Sequence, residues 1–349
     1  MSATYNSLLP HRLPTPVQGV YSELVQRLQH DLDTPPPLPQ PRKVPVRKVI
    51  NGRTYWYWQW RESGKQVQKY IGKDTDPVTQ TALAAAVEQA PPPADAKANL
   101  CELLRGLFGQ AVTGPMARVL KELGADGLAR TNALVVGTYA FIAYQGSFAI
   151  KWPQFAMTED IDLAAWPLPS AFSLNLYESL QRTTLGFEPA RRLDTAAPPV
   201  MYVVPNTHYR VDVLTPMVGR PHHDPIQIPS IRAHAEPLRY LDFLIDEPTL
   251  AAFPIGSGVL VRIPAPGRYA FHKLLIAPRR PTLDKRQKDV AQARTLLALL
   301  VMDDPAEVQS AWKALSRKPK SWAAAVTLQM QGFPADLKAE LSDVLGIAL

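Results

Sequence analysis

The sequence predicts an α+β protein with a small antiparallel β unit near its N-terminus, a middle region of short apolar strands, and a helical C-terminal third. Three observations carry this reading. Residues 51–72, NGRTYWYWQWRESGKQVQKYIG, alternate between turn signals at Asn51-Gly52 and Ser63-Gly64. The runs NALVVG (132–137), TEDIDLA (158–164), VMYVVP (200–205) and YRVDVLTP (209–216) have the length and β-branched content of strands. From Ala265 onward, apolar residues recur at helical spacing through FHKLLIA, KDVAQARTLLALLV, EVQSAWKALSR and ADLKAELSDVLG.

Taken in order, residues 1–41 read as a flexible N-terminal segment ending in a stiff, proline-rich linker, TPPPLPQP (34–41). Within it, VYSELVQRLQHDL (20–32) is amphipathic enough for a helix that docks on the body or on a neighbour. Residues 42–90 form the β unit. Alternation puts Trp56, Trp58 and Trp60 on one face and Tyr55, Tyr57, Gln59 and Arg61 on the other. A helix through 79–90 can cover one of them. After a second proline-rich linker (90–96), the region 91–264 opens with helices over 96–108 and 114–124. The strand NALVVG then ends at Gly137, and a helix follows over 138–146. TEDIDLA is the next strand, 171–183 is helical, and two strands pair about a turn at Asn206. Residues 265–349 are the helical region.

At 349 residues, 46% apolar and 20% charged, the composition is that of an ordinary globular chain, long enough for two or three units. A single cysteine, Cys101, excludes a disulfide framework and a cysteine zinc site. There is no apolar run of about 18 residues and no basic-then-apolar leader, so a soluble, cytoplasmic protein without a membrane partner is expected. The charge is local. Residues 42–73 carry nine basic residues and one acid, or +8, against +7 for the whole chain. Aromatics interleaved with cations suit nucleic acid, with Tyr55, Tyr57, Arg61, Lys65 and Lys69 as candidate contacts. The tryptophan face reads either as the core of the small sheet or as a base-stacking platform.

On a strand, residues i and i+2 share a face, so Asp160 and Asp162 stand side by side. Two adjacent carboxylates repel, which a shared divalent cation or nearby arginines would relieve. Asp212 lies among Val211, Val213 and Leu214 on an interior strand, where a carboxylate is costly unless paired or on a metal. Arg210, two residues earlier, is its candidate partner. The Gly137-Thr138 turn closes a strand and opens a helix, a place where backbone N–H groups and a hydroxyl can hold phosphate. Arg279, Arg280, Lys285 and Arg286 are either a phosphate-facing cluster or a solvated loop. The histidines of RPHHDP diverge on an extended chain and read as loop.

The order Gly-Thr, a gap of about twenty residues, Asp-x-Asp, then a third aspartate on a later strand resembles the nucleotidyltransferase superfamily of the DNA polymerase beta type. The stretch from about 97 to 315 is similar to an uncharacterised bacterial family of that fold. That family also tends to carry a Tyr/Trp-rich, Lys-rich hairpin ending in YIG. More distantly, Lys273 in a K-x-x-x-A context and Asp289 in a K-D-hydrophobic context, with Lys288 beside it, resemble AbiE-type nucleotidyltransferase toxins. The resemblance implies a mixed sheet with flanking helices over 91–264 and a C-terminal helical region that completes the active site. It also implies two Mg²⁺ ions on Asp160, Asp162 and Asp212, and a nucleoside triphosphate held by Gly137, Thr138, Lys273, Lys288 and Asp289.

Three functions compete. The leading one transfers a nucleoside monophosphate from a triphosphate to a hydroxyl of RNA, with tRNA and a toxin role beside an antitoxin protein as the settings analogy suggests. The second keeps the chemistry but uses a protein or small-molecule acceptor. The third is a non-catalytic nucleotide- or nucleic-acid-binding module.

Overall fold

The computed structural model describes residues 9–34, 44–62, 65–88, 96–108, 112–152, 158–190 and 197–349, apart from the side chains of residues 44, 60–62, 65 and 85–88. The turn at Ser63-Gly64 and most of both proline-rich linkers lie outside the described residues. So do the side chains of Trp60 and of two expected nucleic-acid contacts, Arg61 and Lys65.

Strand β1 (His11–Arg12) leads into helix α1 (Pro16–Asp33). Pro16 opens the helix where its missing N–H costs nothing. Val17, Tyr21 and Leu24 fall on one stripe and are buried, in a side cluster with Cys101, Leu104, Phe108 and Ala252. The Tyr21 ring lies against Gly146, where a Cβ would overlap it. Its hydroxyl accepts a hydrogen bond from the Ala252 amide at 2.8 Å. The expectation of a flexible segment over 1–41 is therefore corrected across residues 16–33. The apolar stripe is not left to solvent but is buried on the body.

Strands β2 (Val44–Ile50), β3 (Arg53–Glu62) and β4 (Lys65–Lys73) form an antiparallel sheet, followed by helix α2 (Pro77–Glu88). Strands β3 and β4 pair Glu62 with Lys65 and, in the same register, Trp58 with Lys69. Lys69, one of the expected nucleic-acid contacts, is thus on the tryptophan face, while Tyr55 and Tyr57 are on the other. Trp56 and Trp58 are half-buried rather than enclosed. Thr79 of α2 is buried against Gly72, the cross-strand partner of Trp56, so the helix closes that part of the tryptophan face.

The body begins with α3 (Ala96–Leu107) and α4 (Gly114–Ala125). Strand β5 (Leu134–Val136) runs directly into α5 (Gly137–Phe148), which is buried along Tyr139–Gly146. A helix apolar all round must lie at the centre of a fold. Next come β6 (Ile150–Lys151), paired with β1, then β7 (Asp160–Ala164) and α6 (Leu176–Arg182). The helix expected over 171–183 starts late because Asn175 caps it, accepting from the Glu178 amide at 3.3 Å.

Strands β8 (Glu188–Pro189), β9 (Met201–Val203), β10 (Arg210–Pro216), β11 (Ile226–Ile228) and β12 (Ala233–Leu238) complete the main sheet. Its order is β11-β12-β10-β7-β5, with β9 on β10 and β8 on β9. Strands β7 and β12 run parallel to β10, while β5 is antiparallel to β7. Ile161, Leu163, Val211 and Val213 turn into the core, leaving Asp160, Asp162, Arg210 and Asp212 on the opposite face.

A short helix α7 (Leu241–Leu244) and the hairpin β13 (Thr249–Phe253) and β14 (Val259–Ile263) come before the helices. These are α8 (Pro266–Ile276), α9 (Leu283–Asp303), α10 (Pro305–Ser316), α11 (Lys320–Met330) and α12 (Ala335–Leu345). One apolar core runs from α4 and the sheet into α8 through α12, without a seam at residue 264. No described helix is long and apolar enough to cross a membrane.

Candidate active site

Strands β7 and β10 pair in a register that sets Asp212 beside Asp162 and Arg210 beside Asp160. Carboxylate oxygens of Asp160, Asp162 and Asp212 come within 4.8 Å of one another. Arg210 forks between two of them, donating from Nη2 to Asp160 at 2.9 Å and from Nε to Asp212 at 3.0 Å. Asp162 receives no such bond from it. Burial, then Asp160 and Asp212, push the Asp162 carboxyl up to about 7, against a weaker pull from Lys273 and Arg210. Burial also raises Asp212, partly offset by Arg210. Arg210 thus relieves two carboxylates and leaves the third under-compensated.

Above Asp162 the chain turns from β5 into α5 at Gly137, whose φ is +64°. A Cβ at this position would overlap the Asp162 carboxylate. Both facts require glycine. The first turn of α5 has no side-chain cap, so its leading N–H groups have no intrahelical acceptor. The turn is held from the other wall by Tyr269 of α8, whose hydroxyl is 3.0 Å from the Gly137 carbonyl and 3.1 Å from Gln292 Oε1. Gly137→Ala is expected to cost about 1–3 kcal/mol from the left-handed backbone alone. Thermal melting checks this, and an unchanged melting temperature would contradict it.

The opposite wall is helical. Lys273 of α8 donates to Asp289 Oδ1 at 2.6 Å, and Arg280 donates from Nε to Asp289 Oδ2 at 2.6 Å. The Lys273 and Asp289 side chains are only 8% and 5% exposed, so this is a buried ion pair extended by a more exposed arginine. Burial pushes Asp289 up, but Lys273 and Arg280 together hold it below its ordinary range. Lys288 is half-desolvated, and burial followed by repulsion from Lys273 lowers its pKa. Burial and the neighbouring Lys273 take His272 down to about 3, so it is a neutral imidazole.

These walls enclose a cleft of about 590 Å³, within the range of roughly 300–1,000 Å³ usual for small-molecule sites. Gly137, Thr138, Asp160, Asp162, Asp212, Lys273, Lys288 and Asp289, all expected from the sequence, line it. Asp289 presents no free oxygen there, because both accept from cations. Of the basic cluster, Arg279, Arg280 and Lys285 also line the cleft, Lys285 from the first turn of α9, whereas Arg286 does not. Lys151 is exposed in β6, paired with β1, and is not among the lining residues.

Sequence reading missed Arg239, Tyr240 and Tyr269. Tyr269 stands four residues before Lys273 on the same helix face, a spacing that could have flagged it. Arg239 and Tyr240 follow β12 and reach the cleft only through the sheet order, for which no local signal exists. Tyr240 has φ +69° and carries the Arg279 guanidinium 4.7 Å from its ring centroid.

The donor set suits a hard divalent cation: three clustered carboxylates, one of them under-compensated. Beside them, the buried Thr158 hydroxyl has no hydrogen-bond partner among the described residues. The seven arginines and lysines lining the cleft outnumber its four carboxylates, so the wider pocket suits a polyanion.

A family model described as nucleotidyltransferase matches residues 115–316, which contain every lining residue of this cleft. A second model, a domain of unknown function, matches residues 21–81. Among solved structures, the chain is similar to an antigenic nucleotidyltransferase-like protein from Paracoccidioides brasiliensis. The identity is 14% over 60% of this chain and 89% of the other, and the TM-score is 0.29, a loose likeness. No curated protein matches the chain.

Proposed function

The chain belongs to a nucleotidyltransferase family, and on that premise we propose that it is a Mg²⁺-dependent enzyme moving a nucleoside monophosphate from a triphosphate to an RNA hydroxyl. In this reaction the acceptor hydroxyl gives up its proton to solvent, its oxygen bonds to the α-phosphorus, the bond to the β-phosphate oxygen breaks, and pyrophosphate leaves. Asp160 and Asp162 would hold two Mg²⁺ ions, with Asp212 completing the ligand set. Bound there, the ions would supply neutralisation of phosphate charge and a lowered pKa for the acceptor hydroxyl. The Gly137 turn and the first N–H groups of α5 receive the terminal phosphates, with the Thr138 hydroxyl beside them. Lys273, Lys288 and Arg280 face the same charge, with Asp289 positioning two of the three.

The observation that carries this reading is the convergence of the clustered carboxylates, the left-handed glycine turn and an excess of cations on one cleft. That excess, together with the basic segment 42–73, favours an RNA acceptor over a cationic small molecule. tRNA as the acceptor and a toxin role beside an antitoxin partner extend the proposal by family analogy.

The test incubates protein, Mg²⁺ and total RNA with each α-labelled nucleoside triphosphate. Label on a discrete RNA band, absent from Asp160→Ala/Asp162→Ala, is the expected result. Label on the protein itself would move the acceptor to a side chain. One observation favours a non-catalytic reading: the Arg210 fork is what a structural ion pair looks like. It leaves Asp162 unexplained. No label with any nucleotide, despite Mg²⁺ binding, would favour that reading.

A pH dependence follows. A buried Asp162 titrating near 7, against 3.8 when exposed, keeps a proton in the folded state that the unfolded chain has lost. Metal-free stability therefore falls as pH rises from about 4 through 7. Mg²⁺ binds the ionised form, so the rise in melting temperature on adding Mg²⁺ should be small at pH 5.5 and grow through pH 8. A metal effect of equal size at both pH values would contradict this.

A further inference from the structure

We propose that the tyrosine face of the small sheet is a docking surface for single-stranded RNA. This rests on the reading of RNA as the acceptor. Tyr55, Tyr57 and Tyr70 stand together on that face, Tyr70 directly across from Tyr57 with ring centroids 5.4 Å apart and 6.3 Å from Tyr55. Tyr70 is 51% exposed, unusual for a large ring in a sheet. Lys48 and Lys73 flank Tyr55 on the two neighbouring strands, and the Lys48 amine lies 5.0 Å from the Tyr57 centroid. It also donates to Gln68 Oε1 at 2.5 Å, and Gln68 donates to Gln59 at 2.6 Å.

Charge settles what the face suits. Two acids among the described residues are committed to the opposite side: Asp74 accepts from the Trp56 indole at 2.6 Å, and Asp76 accepts from the Val78 amide at the start of α2. That side is also the one α2 closes over Gly72. Among the described residues the tyrosine face carries the Lys48 and Lys73 amines, the Arg53 guanidinium, the Gln59 and Gln68 amides and three phenols beside Val46 and Ile50, and no carboxylate, a combination for a polyanion whose units carry flat rings. Bases of an unpaired strand can stack on the phenols while the lysines meet phosphates. A duplex hides its base faces and gains only the electrostatic part.

The test uses the full chain and a fluorescein-labelled 12-nucleotide single-stranded RNA, read by polarisation, with the same sequence as single-stranded DNA and as duplex RNA. Tyr57→Ala/Tyr70→Ala should raise the Kd at least about tenfold, as expected for losing stacked bases. Tyr57→Phe/Tyr70→Phe should retain binding, which guards against a folding defect, and circular dichroism should match wild type. Lys313→Gln, an exposed position on α10, should change the Kd by no more than about twofold. Unchanged binding in the alanine pair, equal affinity for duplex, or no binding by wild type would overturn the proposal. The labelling assay separates the two claims. RNA labelled equally by wild type and the alanine pair, with unchanged KM for RNA, overturns the surface and leaves the transferase standing. RNA binding lost in the alanine pair, with no label in any protein, supports the surface and overturns the transferase.

Discussion

Replacing Asp162 by asparagine should abolish nucleotidyl transfer while leaving the metal-free protein at least as stable at pH 8. The two halves have one cause. Burial, then the like charges of Asp160 and Asp212, push Asp162 up to about 7, and the Arg210 fork donates to the other two carboxylates instead. Removing an ionised, under-compensated carboxylate relieves the fold. Under the proposed mechanism, the same change deletes a donor for ions whose charge stabilisation is worth several kcal/mol in such reactions. A loss of about 4 kcal/mol corresponds to roughly 10³-fold in rate, so transfer should fall by at least about that factor. Asp160→Ala should match the loss of activity without the gain in stability, because it also strips Arg210 of one partner. Single-turnover rates and melting curves at pH 8 with EDTA check both variants. A large drop in melting temperature for Asp162→Asn would make that residue structural and weaken its assignment to metal binding.

Asp289→Ala should be the most destabilising single change in the cleft, at about 3–5 kcal/mol, the usual cost of leaving a buried charge unpaired. Lys273 is 8% exposed and has its Asp289 partner at 2.6 Å, while Arg280 uses the second oxygen. Replacing the pair together, as Lys273→Met/Asp289→Leu, should recover most of that loss, since an apolar pair of similar volume removes both desolvation costs. Stability should then be restored without function. The double variant lacks the Lys273 amine and leaves Arg280 unpositioned, so its affinity for a nucleoside triphosphate should stay well below wild type. Denaturant unfolding and nucleotide titration in Mg²⁺ measure the two quantities separately. Wild-type nucleotide affinity in the double variant would reduce the pair to packing.

Much of the site was legible because its chemistry is written at short range. A period of two put Asp160 and Asp162 on one face, and Gly137 marks a turn that only glycine fits. Asp212 stood out as a carboxylate in an apolar run. Other residues were harder to place. Arg210 was visible as a partner for Asp212, but its bond to Asp160 depends on the register of two strands fifty positions apart in sequence. Lys273 and Asp289 were visible as motifs, yet their mutual pairing is decided by how α8 packs on α9.

What the sequence determined by itself is therefore the type of the strongly periodic elements, though not of β11 to β14 or α11, and which side of those elements carries the charged residues. Helical and strand periodicities are properties of a single segment, and they fix orientation relative to that segment's own axis. The tertiary structure decided which segments face one another. It set Asp212 beside Asp162, brought Arg239 and Tyr240 to the cleft, put Lys69 on the tryptophan face, and seated α1 on Gly146. Those outcomes depend on strand order, register and helix docking. They are settled by the burial of one shared core, a free energy that belongs to the whole chain and to no single stretch of it.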